Sequence, residues 1–155
     1  MESKTGSLPD ANGAPAFIVV IEDNPNDILL LRLALDEQDE DYDLRVLRDG
    51  AEALAFVHEQ RTRSHLSPVP CVIVLDLHLP KHEGVAVLEA IRQTPALAHI
   101  NVVVLTGFAS PLEQAQVTHW GVRLYREKPT DLNEFIDVSR QILEICNEGR
   151  AIDAA

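Results

Sequence analysis

The sequence predicts an α/β fold in which a parallel sheet carries helices on both faces. Apolar runs alternate with helical stretches five times along the chain. Three of those runs, "FIVVI", "CVIVL" and "VVVL", are continuously apolar, as strands covered on both faces must be. In chain order the predicted elements are a strand at 16–21, a helix at 25–38, a strand at 42–47 and a helix at 51–59. A strand at 71–75 follows, then a helix at 84–93, a strand at 101–105, a helix at 111–120, a strand at 123–126 and a helix at 131–147.

Each element has a local reason. Pro25 suits the first position of a helix, and Asp23 or Asn24 before it can cap the free amides of the first turn. The last helix places Leu132, Phe135, Ile136, Ser139, Ile142, Leu143 and Cys146 on one stripe, which predicts firm docking. The fourth helix offers little beyond Leu112, Ala115 and Trp120 and should be the least anchored. Gly121 suits a left-handed residue closing it. Arg45, Arg123 and Arg126 mark the second and fifth strands as edges, which is where the order 2-1-3-4-5 puts them in the flavodoxin-like sheets that this pattern resembles. The loop "HEQRTRSHLSPVP" before the third strand is longer than usual.

With 155 residues and 46% apolar content, the chain fits one domain, expected over 16–147. Residues 1–15 are rich in Ser, Gly, Pro and Ala and are expected to be a disordered extension; 148–155 are expected to be a short tail without an output domain. A net charge of −12 disfavours nucleic acid and anionic lipid as direct partners. Cys71 and Cys146 are expected as packed thiols. With no signal-peptide core and no membrane-spanning run, the expected location is the cytoplasm.

In an open parallel sheet the site lies beyond the carboxyl ends of the strands. Those ends here carry Glu22 and Asp23, Asp76, Thr106 and Lys128. Taken singly each has a plain explanation: Asp23 as a cap, Asp76 as a turn residue, Thr106 as a loop hydroxyl, Lys128 as a solvated lysine. Together at one rim they suggest more. Three converging carboxylates repel one another unless a cation neutralises them, and an all-oxygen set points to Mg²⁺. A metal, a lysine and a hydroxyl around a nucleophilic carboxylate form a place to receive a phosphoryl group.

These residues resemble the receiver domain of two-component response regulators, over about Ala16 to Asn147. The resemblance implies that Asp76 is the phospho-acceptor, and that Asp23, Asp76 and the backbone carbonyl of His78 bind Mg²⁺ with Glu22 acting largely through water. It implies that Thr106 is the switch hydroxyl, Lys128 the partner of the phosphoryl group, Tyr125 the aromatic that changes rotamer, and Lys128–Pro129 a cis peptide. "IEDNPNDILLLRLAL" and "DLHLPKHEGVAVLEAIRQ" further resemble regulators associated with bacterial phytochrome kinases. The implied partners are a sensor histidine kinase of that type, a downstream phosphotransfer protein or effector, and a second copy through the face of helix four, strand five and helix five. The implied activity is self-catalysed phosphotransfer and autodephosphorylation rather than conventional enzymology. His78 and Phe108 flank the acceptor and are expected to restrict attacking water.

A competing reading keeps the fold as a phosphorylation-independent pseudo-receiver; an aspartyl-phosphate phosphatase and a flavin carrier are further options. The phosphatase lacks a second acid at position 78, and no phosphate loop follows the first strand. A metal pair at His78 and His82 is discounted because Pro80 lies between them.

Overall fold

The computed structural model describes residues 2–3, 15–62, 68–81 and 83–154. Residues 4–14 of the expected extension, part of the long loop, and His82 lie outside the described residues. The chain runs β1 (Glu2–Ser3), β2 (Ala16–Ile21), α1 (Pro25–Asp36), β3 (Tyr42–Leu47), α2 (Gly50–Thr62) and β4 (Val72–Leu75). It continues through α3 (Gly84–Arg92), a 3-10 turn (Pro95–Leu97), β5 (Asn101–Thr106), α4 (Pro111–His119), β6 (Leu124–Glu127) and α5 (Leu132–Ala154).

The five main strands pair in parallel as β3-β2-β4-β5-β6, which in their own numbering is the predicted 2-1-3-4-5. Alternation along each buried strand divides the core. Ile18, Val20, Val72 and Val74 face α1 and α5, whereas Val19, Ile21, Ile73 and Leu75 face α2, α3 and α4. Each central strand is therefore apolar throughout because both its faces are covered.

Four features depart from expectation. Glu2–Ser3 pairs antiparallel with β3 at Leu44 and Asp43, because the edge of β3 leaves backbone groups open to an added strand. Helix α5 continues through Ala154, since Glu148, Arg150 and Ala151 favour helix and no proline stops it. Cys71 and Cys146 are joined in a disulfide rather than packed as thiols. The start of β4 lies against the α5 stripe, which brings their Cα atoms to 4.9 Å across 75 residues of sequence. Among the described residues no peptide is cis, so Lys128–Pro129 is trans. The trans isomer is intrinsically favoured, and it already lets the Lys128 amide continue the β5–β6 ladder onto the Thr106 carbonyl at 2.7 Å.

Other expectations hold. Asn24, not Asp23, caps α1 by accepting from the Asn26 and Asp27 amides, which leaves the Asp23 carboxylate unused by the helix. Gly121 closes α4 with φ of 74°. Helix α4 is weakly anchored as expected, but through Val117, since Leu112 and Ala115 are both exposed. Arg92 ties this side together, donating to the carbonyls of Trp120 and Ile100 at 2.7 Å, Gly121 at 3.1 Å and Ala98 at 3.3 Å. Among the described residues no helix is long and apolar enough to cross a membrane.

Candidate functional site

Ladder hydrogen bonds carry the polar residues to one rim. The Glu22 amide donates to Leu47 O at 2.9 Å and the Asp76 amide to Ile21 O at 3.0 Å, so each acid sits one step beyond a strand end in fixed register. Lys128 arrives from β6 in the same manner. Oxygen atoms of Glu22, Asp23 and Asp76 lie within 4.8 Å of one another. The Lys128 ammonium contacts Glu22 at 2.5 Å, Asp76 at 2.9 Å and Asp27 at 3.0 Å.

Asp27 was absent from the sequence-based set. It sits in the first turn of α1, where an acid is ordinarily read as a favourable partner of the helix dipole. Its signal was the spacing "EDNPND", which places it one turn beyond Asp23 on the side of the sheet rim.

Electrostatics follow from the excess of carboxylates over the single ammonium. Glu22 is 5% exposed, above an apolar floor of Ile21, Ile28, Val74, Leu105 and Phe135. Burial, reinforced by Asp76, pushes its carboxyl from 4.5 up to about 9. For Lys128, burial pulls the pKa down, but hydrogen bonds to Glu22, Asp76 and Asp27 outweigh it and the net shift is upward. Among the described residues Glu22 Oε2 and Thr106 Oγ1 are buried without a hydrogen-bond partner. Thr106 is fully buried at the end of β5, with its hydroxyl an unused donor.

The loop after β4 is held tightly. Asp76 Oδ1 accepts from the His78 amide at 3.0 Å, so the turn role and the rim position coexist. Gly84 at the start of α3 donates to Leu77 O at 2.9 Å, and a Cβ there would lie 2.4 Å from Leu77 Cα and 2.8 Å from Asp76 O. Only glycine permits that approach. The His78 ring contacts Glu113 at 3.1 Å, and Tyr125 is half-buried with its hydroxyl donating to Glu113 at 3.1 Å. Phe108 is 75% exposed, so packing does not fix its ring over the rim.

The model of the response regulator receiver domain matches residues 18–140. The chain belongs to that family. This receiver is 41% identical over 99 residues to the response regulator Rcp1 of Synechocystis, covering 64% of this chain and 67% of Rcp1. It is 27% identical to the polar-differentiation response regulator DivK of Brucella anthropi, covering 83% of this chain and 97% of DivK. Among solved structures, the Mn²⁺-bound form of Rcp1 superposes with a TM-score of 0.71 at 35% identity, covering 83% of this receiver and 91% of that chain. The phosphorylated cyanobacterial phytochrome response regulator RcpA gives 0.74 at 31%, covering 84% and 93%. The bacteriophytochrome response regulator RtBRR gives 0.66 at 32%, covering 80% and 75%.

Proposed function

We propose that this receiver accepts a phosphoryl group on Asp76 from a sensor histidine kinase of the phytochrome-linked class, in a Mg²⁺-dependent reaction. One observation carries the reading: a buried carboxylate at the sheet rim whose oxygen lies 2.9 Å from the Lys128 ammonium, with two further acids close by. An Asp76 oxygen forms the new bond to phosphorus while the bond from phosphorus to the kinase histidine nitrogen breaks, and the freed imidazole leaves with its electron pair. Lys128 offsets charge on the transferring oxygens, and Thr106, whose hydroxyl has no other partner among the described residues, donates to one of them.

The residues fit a hard divalent cation, because oxygens of three acids converge within 4.8 Å and burial beside Asp76 disfavours the ionised form of Glu22 until positive charge is added. Asp23, Asp76 and the His78 carbonyl would hold Mg²⁺ with Glu22 through water, and the ion would supply neutralising charge beside the acceptor. The kinase class is supported by the likeness to RcpA, a phytochrome response regulator, and RtBRR, a bacteriophytochrome response regulator. A kinase fed by ATP places the protein in the cytoplasm. Added charge at Asp76 then draws Thr106 inward, Tyr125 turns into the vacated space, and the face of α4, β6 and α5 changes for an effector, a phosphotransfer partner or a second copy.

The reading is tested by incubating the protein with autophosphorylated histidine kinases, including a phytochrome-type one, in Mg²⁺. Rapid transfer from the phytochrome-type kinase to wild type and none to Asp76→Asn is expected. Absence of transfer from every kinase in the panel, or equal labelling of the variant, contradicts it.

A further inference from the structure

Helix α4 buries a single residue of its own, Val117, and leaves Leu112 74% exposed, so apolar packing does little to orient its first turn. Polar contacts do that instead, and they converge on Glu113. Its amide donates to the Ser110 hydroxyl at 3.1 Å, closing the helix cap. One oxygen of its carboxylate accepts from the Tyr125 hydroxyl at 3.1 Å, and the other meets the His78 imidazole at 3.1 Å. The Tyr125 hydroxyl in turn accepts from the Ser110 amide at 3.2 Å. The Glu113 side chain is 15% exposed and Tyr125 is half-buried, which shields their contact, whereas the His78 ring is 60% exposed.

We propose that Glu113 is a positioning residue that holds the unmodified arrangement of the receiver by joining the acceptor loop to α4 and β6. The inference rests on the function proposed above. His78 is the connection to the acceptor: its amide binds Asp76 Oδ1 at 3.0 Å while its ring binds Glu113. A phosphoryl group on Asp76 competes for that amide and brings dianionic charge toward the Glu113 carboxylate. Tyr125 turns inward only after its hydroxyl has left Glu113 and the Ser110 amide. Glu113 therefore sets the balance between the two arrangements, from a helix to which family resemblance assigned no site residue.

Hydrogen exchange of the unmodified protein tests this, with no phosphodonor present. Glu113→Ala should speed exchange of the α4 amides about three- to tenfold while the β2 and β4 amides stay unchanged. Glu113→Gln, which keeps a hydrogen-bonding group for both His78 and Tyr125, should recover most of the protection. Combining His78→Ala with Glu113→Ala should add nothing to Glu113→Ala alone on the acceptor loop, because both remove the same contact. Unchanged α4 exchange in Glu113→Ala, no recovery by Gln, or additive effects of the pair overturn the proposal. Because the readout needs no phosphorylation, an Asp76 that takes no phosphoryl group sinks the proposed function separately and leaves this result standing.

Discussion

Replacing Glu22 with Gln should stabilise the metal-free protein at neutral pH, an unusual outcome for removing an ionisable group from a functional site. The Glu22 carboxyl is pushed from 4.5 up to about 9 by burial and by Asp76. A raised folded-state pKa contributes stability that is fully present below the unfolded value of 4.5 and is lost as pH rises toward about 9. With its pKa raised in the folded state, this carboxyl releases its proton at lower pH in the unfolded chain than in the folded one; at about 1.4 kcal/mol per pH unit above 4.5, the cost at pH 7 is at most about 3 kcal/mol, reduced to the extent that the Lys128 ammonium stabilises the ionised form. Gln carries no such proton, so the variant should exceed wild type by up to that amount at pH 7, with the gap closing toward about pH 4.5. Urea unfolding in chelator across this range measures it. Saturating Mg²⁺ should stabilise wild type and shrink the gap, since it binds the folded state and favours the ionised carboxylate. A variant that is less stable than wild type by the same amount at every pH would refute the reasoning.

Gly84→Ala places a Cβ 2.4 Å from Leu77 Cα and should cost about 1–3 kcal/mol while displacing Asp76, read as lower urea stability together with slower phosphorylation. Arg92→Leu strips donors from four carbonyls and should cost about 2–4 kcal/mol, with Lys restoring only part; thermal unfolding measures both. Reducing Cys71–Cys146 opens a cross-link spanning 75 residues and should lower stability by up to about 4 kcal/mol; equal urea midpoints with and without reductant would contradict this. In a reducing compartment, such as the cytoplasm proposed above, the same pair would be held as thiols, and the protein is predicted to be less stable there.

Much of the site was legible because parallel-sheet geometry sends every strand end to the same rim. Continuous apolar runs located those ends, and Glu22, Asp76 and Thr106 each fall at or one step beyond a strand. What remained hidden depends on distances between elements. Asp27 reads as a first-turn acid until the lysine from β6 is seen to reach it. Glu113 reads as a surface residue of a weak helix until His78 and Tyr125 meet on its carboxylate. The disulfide depends on the register of α5 against the start of β4, which no local pattern specifies. The cis peptide expected by resemblance was not required, because the trans form already places the Lys128 ammonium among three carboxylates.

The central claim is that Asp76 is the nucleophile and that the acids around it act through a bound cation. Intact mass after incubation with a small phosphodonor tests this most directly. Gain of a single phosphoryl group in Mg²⁺, lost in chelator and in Asp76→Asn, is the predicted result. Modification that persists in chelator, or that survives the Asn substitution, would contradict it.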